Sequence, residues 1–351
     1  MVHQDFITIG TLGCGEIACE FKAFFKMINN ARFVTATDID VKRARKISRK
    51  DHSYTDVNKM FESEDFDVLY IATPHYLHKE HIKLAFENGK HVFCEKPVGI
   101  SIQDAREIYK ITHKYPDLKL GFNYQYRYDQ NCFELVSGLK EEILGDIYYA
   151  NCNVYFSREE QYFRNSYWRG FKKYAGGGTL LTHASHILDL IIWAFGEPKS
   201  VMGKIKTTKF TQIDVEDLGF GIIEFENGIL AQINSSMIVN PPMESTKALS
   251  ELIVFGQYGL AKCELTVPSS LQWYGIEDFS CDSLSCYSPY IAGSLEAFAD
   301  WVLHEKPYLN TIEESTKVLC LISALYFLLN YLVMNIHNNR YRSPHDQFQL
   351  N

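Results

Sequence analysis

In the first third of the chain, short apolar runs alternate with longer stretches in which apolar and polar residues mix at helical spacing. Phe6-Ile7-Thr8-Ile9 predicts a strand, and after a glycine turn Glu16 to Ile28 predicts a helix. Arg32 to Thr37 is a second strand ending at Asp38, and Val41 to Arg49 a helix. Asp67 to Ile71 is a strand ended by Thr73-Pro74, and Leu77 to Asn88 a helix with Gly89 as its stop signal. His91 to Cys94, Ile102 to His113 and Leu118 to Phe122 continue as strand, helix and strand. Strands alternating with helices in this way predict a doubly wound parallel sheet.

The pattern changes after Gly121. Asn123 to Tyr128 and Ile147 to Phe156 are rich in aromatics with partial alternation, and Thr179 to Phe195 predicts one strong helix. Lys199 to Lys206, Leu218 to Phe225 and Ile229 to Ser236 are extended runs, the last two joined by the hairpin signal Glu226-Asn227-Gly228. Glu251 to Phe255 and Leu260 to Leu265 form another hairpin pair, and Leu295 to Leu303 and Glu313 to Asn330 close the chain as helices. The expected division is therefore a doubly wound domain over 1–121, an α/β domain with a large open, mostly antiparallel sheet over 122–334, and a polar tail over 335–351.

Composition narrows the function classes. The 351 residues are 46% hydrophobic and 22% charged with a formal net charge of −8, which argues against nucleic acid as the main partner. The one basic stretch, Lys42 to Lys50, has the spacing of a solvated helix face. Nine scattered cysteines without C-x-x-C spacing, and no secretory segment before the first strand, lead to the expectation of a reduced, cytoplasmic protein without a metal site. Val318 to Met334 is apolar but short and interrupted by Ser323 and Asn330, so a buried helix is expected there and not a membrane span.

Chemistry is carried first by the glycine turn. Gly13-x-Gly15-x-x-Ala18 lies between the first strand and the first helix. Gly13 allows a tight turn, Gly15 lets the backbone approach a pyrophosphate, Ala18 permits close helix packing, and the helix N-terminus offers free N–H groups. The turn residues Gly13, Cys14, Gly15, Glu16 and Ile17 are the candidate cofactor contacts. Asp38, at the end of the second strand, can accept hydrogen bonds from an adenosine ribose diol and would repel a 2′-phosphate. NAD is therefore favoured over NADP, with Arg43 and Arg45 keeping NADP open. Lys96, in Glu95-Lys96-Pro97, ends a strand where ligands of open α/β sheets bind, and the proline following it tolerates a cis bond.

These motifs occur in one order with Ala72-Thr73-Pro74 and His78, and with Gly176-Gly177-Gly178 leading to His186 and Asp189. In that order the chain resembles the Gfo/Idh/MocA family of oxidoreductases from about Phe6 to about Tyr331. Glu216-Asp217, Phe225 to Gly228 and Phe255 to Gly259 fit as well. The resemblance implies a Rossmann domain followed by an α/β domain whose open sheet forms a homodimer or homotetramer interface. It implies NAD(P)-dependent hydride transfer at a secondary carbinol or ketone of a sugar, polyol or nucleotide sugar. Thr73 and Pro74 would border the cofactor, Glu95 would approach its ribose, and Lys96 would reach substrate and nicotinamide.

His186 matches the family's active-site histidine, and an imidazole suits proton removal from a hydroxyl near neutral pH. Lys96, charged, would stabilise the developing alkoxide, or a lysine of depressed pKa would take the proton instead. Thr182, His186 and Asp189 share one face of the expected helix, at i, i+4 and i+7. Many family members carry aspartate where this chain has Thr182, which leaves Lys96 and His186 as the working pair and Asp189 as a structural residue. The triple glycine would present N–H groups at the helix start. Arg127 is a candidate for a substrate hydroxyl or phosphate, or for an ion pair at the domain junction. Trp168 and Arg169, with Tyr124 and Tyr155, are candidate walls of a sugar site. His78, on the helix after Thr73-Pro74, is open to cofactor contact or to a packing role, and His183 to packing. Two other readings stand beside the dehydrogenase: a dinucleotide-binding sensor on the same fold, which Thr182 keeps open, and an NAD-dependent glycosidase.

Overall fold

The computed structural model describes residues 5–239, 248–265, 268–276, 291–327 and 334–335. Six parallel strands form the first sheet. They are β1 (Ile7–Leu12), β2 (Ala31–Thr37), β3 (Ser53–Tyr54), β4 (Val68–Ile71), β5 (His91–Cys94) and β6 (Leu120–Phe122), in the order β3-β2-β1-β4-β5-β6. Every residue of β4 is buried, as befits a parallel strand covered on both faces. The order reverses between β1 and β4, so the loops leaving these strands diverge and open a crevice at the carboxyl edge. The doubly wound sheet expected from the alternation is thus present. Two differences concern its edges. β1 runs on to Leu12, taking Gly10 and Thr11 into the strand, and the helix after the glycine turn is shorter than the spacing suggests, Glu16–Phe24.

The second sheet has eight strands: β7 (Ile147–Phe156), β8 (Pro198–Lys206), β9 (Leu218–Phe225), β10 (Leu230–Ser236), β11 (Ala248–Gly256), β12 (Leu260–Glu264), β13 (Ser270–Tyr274) and β14 (Met334–Asn335). Their order is β13-β12-β11-β7-β10-β9-β8-β14. The pairs are antiparallel except β7 with β10. Alternation decides which face is covered. In β9, Ile223 and Phe225 are buried while Phe220 and Ile222 are exposed, and in β7 Ala150, Cys152 and Val154 are buried while Tyr149 is exposed. Both expected hairpins form, with Glu224 opposite Leu230 and Phe255 opposite Leu260.

The chain divides into two compact units, and neither is one stretch of sequence. One comprises Met1–Phe133, Phe171–Gly176 and Cys281–Thr316; the other comprises Glu134–Gly170, Gly177–Ser280 and Lys317–Asn351. This differs from the expected division after residue 121, and packing within the first unit explains why. Phe298, on the helix Ile291–His304, meets Phe93 of β5 with ring centroids 5.3 Å apart. The main chain of Phe122 in β6 donates to Asn310 O at 3.0 Å, and the Tyr308 hydroxyl donates to Phe122 O at 3.0 Å. A late helix and the turn after it thus close the core of the first sheet. The polar tail expected over 335–351 lies, apart from Asn335, outside the described residues.

In the second unit the single helix expected over Thr179 to Phe195 is two, Thr179–Thr182 and Ser185–Phe195, broken at His183-Ala184. Ile187, Leu188, Leu190, Ile191 and Ile192 are all buried, so the second piece is a core helix apolar on most sides. Among the described residues no single helix is long and apolar enough to cross a membrane.

Candidate active site

In the first unit, four loops meet the carboxyl edge of the sheet around the strand-order reversal. The first follows β1. Gly13 has φ +90°, and its N–H donates to Thr37 O at 2.9 Å. A Cβ there would lie 2.7 Å from Ala72 O, so glycine is demanded by conformation and by the approach of β4's end. Gly15 is different. Its φ of −76° suits any residue, and a Cβ would meet no protein atom within 4 Å. Nothing in the fold explains a glycine there, whereas a phosphate lying on the first turn of the helix Glu16–Phe24 does. Glu16 and Ile17 are exposed on the same turn.

Cys14 requires a correction. Its side chain is buried, its thiol is pushed up to about 12 by burial with the Asp38 charge adding, and its N–H donates to Asp38 Oδ2 at 2.8 Å. It anchors the turn and is not available as a cofactor contact. Asp38 follows β2 and is nearly buried, and its Oδ1 accepts from the Asp40 N–H at 2.9 Å. Each carboxylate oxygen keeps a second lone pair, so the acid can still receive a ribose diol. The residues therefore fit a dinucleotide: Gly13 and Gly15 form the cradle, the helix start supplies N–H groups, and Asp38 stands beside them.

The other two loops follow β4 and β5. The Thr73 hydroxyl lies 3.0 Å from His81 Nδ1. Burial, with His78 adding, lowers the His81 imidazole to about 4, so this ring is neutral. His78 is fully buried, with Nδ1 2.8 Å from Pro97 O and Nε2 3.0 Å from Thr73 O. Desolvation lowers its pKa, and the Lys96 charge pushes the same way. A neutral ring carries one N–H, so it donates to one of these carbonyls and lies against the other, between the two loops, which corrects the expectation of cofactor contact in favour of the packing role. Glu95 accepts from the Tyr70 hydroxyl at 2.8 Å and from Asn123 Nδ2 at 2.9 Å, and burial raises its pKa. The Lys96-Pro97 bond is cis, as the sequence allows. Lys96 lies two residues beyond β5, whose C-terminal residue Cys94 pairs with Ile71 at the end of β4.

Arg127 lies in a short 3-10 turn, Gln125–Tyr128. It is 2% exposed, and its guanidinium donates to Leu309 O at 3.1 Å and to Glu314 Oε2 at 3.2 Å. Substrate cannot reach it, and the ion-pair alternative holds within the first unit. Arg127→Met is expected to destabilise the protein by about 3 kcal/mol, because it strands a carboxylate and a carbonyl. Thermal melting checks this: a lowered Tm with an unchanged KM for sugar is the expected result, and a raised KM at constant Tm would restore Arg127 to the substrate site. Tyr124 is likewise buried, not a site wall, and its carbonyl accepts from Asn310 Nδ2 at 2.8 Å.

In the second unit, the break at His183-Ala184 puts Thr182 on a different helix from His186 and Asp189, so the three do not share one helical face. His186 and Thr182 are half-buried, and Asp189 is buried. His183 packs, as expected: its ring lies 4.3 Å from that of Phe156, and Arg158 Nε is 3.4 Å from its Nε2. A cluster that the sequence reading did not identify surrounds it. The Arg158 guanidinium lies 4.7 Å from the centre of the Tyr162 ring, and the Arg169 guanidinium 4.6 Å from it. Arg169 also stands 5.5 Å from the Trp168 ring. Cation–π stacking thus joins Trp168 and Arg169 to the break before His186. No short-range sequence signal marks this, because the participants lie on separate elements. Tyr155 accepts from Asn234 Nδ2 at 2.8 Å on the large sheet.

Packing and Glu216 account for two of the three glycines. A Cβ at Gly177 would sit 1.9 Å from the Tyr326 hydroxyl, and one at Gly178 would sit 1.8 Å from Glu216 O. The Gly178 and Leu180 N–H groups donate to the Glu216 carboxylate at 2.7 and 2.9 Å. Among the described residues no group of His, Cys, Asp and Glu could hold a metal ion.

Residues 7–122 match the oxidoreductase family with an NAD-binding Rossmann fold, and residues 135–262 match the GFO/IDH/MocA C-terminal domain. The chain belongs to the Gfo/Idh/MocA family of NAD(P)-dependent oxidoreductases. It is 28% identical over 255 residues to D-glucoside 3-dehydrogenase of Escherichia coli, covering 67% of this chain and 71% of that protein. It is 28% identical over 241 residues to glucose-6-phosphate 3-dehydrogenase of Bacillus subtilis, covering 66% of each. The crystal structure of the WlbA dehydrogenase from Bordetella pertussis, in complex with NADH and UDP-GlcNAcA, has the same fold. Its TM-score is 0.80 at 20% identity, with 94% of this chain and 98% of that one covered.

Proposed function

We propose that the protein transfers hydride between NAD and a secondary carbinol or ketone of a sugar, polyol or nucleotide sugar. The observation that carries this reading is the cradle at Gly13 and Gly15, open where a Cβ would stand at Gly15, with Asp38 beside it. The sugar dehydrogenases among its relatives support the substrate class. Bound NAD supplies the hydride acceptor. Lys96 then stabilises negative charge developing on the carbinol oxygen. His186 takes the hydroxyl proton, a role for which neutral imidazole is suited. Thr182 offers a hydroxyl for substrate hydrogen bonding, and Trp168 and Arg169 supply a flat apolar face and a planar cation for a sugar and its substituent.

The test is a panel. Purified protein is incubated with NAD and glucosides, glucose 6-phosphate, inositols and UDP-linked sugars, and absorbance of reduced nicotinamide is followed. Tight NAD binding without turnover of any member in either direction would sink the reading. It would favour a dinucleotide-binding sensor, the alternative that Thr182 supports by supplying no carboxylate. In that case Lys96→Ala should leave the biological effect intact.

Coenzyme choice is assigned to Asp38. Asp38→Ser removes the charge that would repel a 2′-phosphate. It is expected to raise KM for NAD about tenfold, one lost charged hydrogen bond, and to lower KM for NADP. A variant that loses both coenzymes equally would mean that Asp38 serves only to hold Cys14 and Asp40. The exposed apolar side chains of the large sheet, Tyr149, Phe220, Ile222 and Leu230, are proposed to cover one another in a homodimer or homotetramer.

A further inference from the structure

Glu216 and Asp217 adjoin β9, and both are buried in the second unit. Glu216 takes three consecutive N–H groups. Its Oε2 accepts from Gly178 at 2.7 Å, its main-chain oxygen from Thr179 at 3.0 Å, and its Oε1 from Leu180 at 2.9 Å. The Tyr326 hydroxyl also donates to Oε1, at 3.0 Å. Asp217 does the same in another direction. Its Oδ1 accepts from Thr208 at 2.8 Å, and its Oδ2 from Lys209 at 2.7 Å and Phe210 at 3.2 Å.

Each captured segment leads to a proposed functional residue. Gly178 to Leu180 begin the run that carries Thr182 and, past the break, His186. The 207–214 segment holds the turn Tyr167–Gly170, which carries Trp168 and Arg169. Asp214 N–H donates to Gly170 O at 2.9 Å, and the rings of Phe210 and Phe163 lie 5.0 Å apart. A neutral cap would satisfy the helix start at lower desolvation cost than a buried carboxylate. What two adjacent carboxylates add is a shared reference: one peptide ties both segments to the edge of one strand.

We propose that Glu216 and Asp217 are positioning residues, holding the His186 segment in register with the Trp168–Arg169 turn. This rests on the dehydrogenase reading for its kinetic consequence but not for its structural one. Gln in place of Glu216 keeps the shape but turns an NH2 toward one of the captured amides, a donor facing a donor.

The test compares wild type, Glu216→Gln, Asp217→Asn and Tyr326→Phe by three measurements. These are NAD titration by fluorescence, amide hydrogen exchange over residues 178–188, and steady-state kinetics with the panel sugar that wild type turns over. Glu216→Gln is expected to leave NAD affinity unchanged. It should speed exchange about tenfold through His186 and lower kcat about tenfold with little change in KM. Asp217→Asn should speed exchange in 207–214 and raise KM. Should Glu216→Gln fail to fold, Tyr326→Phe, which removes one donor from the same carboxylate, is expected to show the exchange effect at about threefold. Faster exchange confined to Gly178 and Leu180, with kcat unchanged, would overturn the proposal. If wild type binds NAD but turns over no sugar, the dehydrogenase reading fails, while the exchange data still decide the clamp.

Discussion

Lys96→Met is expected to lower kcat by about a thousandfold, the upper range for removing one group that stabilises a developing oxyanion. Methionine keeps much of the length and apolar stem of lysine, so the change is chiefly electrostatic. The chain is braced on both sides of the residue. Glu95, immediately before it, is held by Tyr70 and Asn123, and Pro97, immediately after it, has its carbonyl 2.8 Å from His78 Nδ1. The loop should therefore keep its course without the amine. NAD affinity measured by fluorescence titration should change by less than about threefold, because the phosphate cradle follows β1 whereas Lys96 follows β5. Steady-state kinetics decide the matter. A variant retaining a tenth or more of wild-type kcat would remove Lys96 from the chemistry.

Gly15→Val is expected to weaken NAD binding by about a hundredfold or more, placing a branched side chain where a pyrophosphate would lie. Folding should suffer little. The φ of −76° is open to valine and a Cβ meets no protein atom within 4 Å, so the loss is that of a poorer N-cap, about 1 kcal/mol. Gly13→Val makes the informative contrast. At φ +90°, with Ala72 O 2.7 Å from a Cβ, it should lose stability and NAD binding together. Thermal melts alongside titrations separate the two. Retained NAD binding in Gly15→Val would mean that no phosphate lies on this turn.

The two glycines show why part of the site is legible in sequence. A turn between a strand and a helix makes its demands through neighbouring residues, so spacing alone identifies it. The same holds for Asp38 at the end of β2 and Lys96 after β5, since a strand end in a parallel sheet is a functional address. Cys14 shows the limit: it sits inside the motif, yet burial and the bond from its N–H to Asp38 withdraw it from a ligand. His78 and Arg127 are polar residues in suggestive places, but their partners are carbonyls and a carboxylate chosen by the fold. The acid paired with Arg127 is 187 residues away, and no local pattern encodes such a pair.

By itself the sequence determined the alternation of strands and helices, the hairpins of the large sheet, the dinucleotide turn with its acid, and the family. Each of these rests on periodicity or on backbone requirements met within a few residues. Only the tertiary structure decided that Phe298 and Tyr308 complete the core of the first sheet. It alone decided that the expected helix over Thr179 to Phe195 breaks before His186, and that Glu216 takes the N–H groups of Gly178, Thr179 and Leu180 at the helix start. Those outcomes depend on which distant surfaces bury one another and which buried polar groups then need partners. The balance is struck across the whole chain, so a local reading of residues does not contain it.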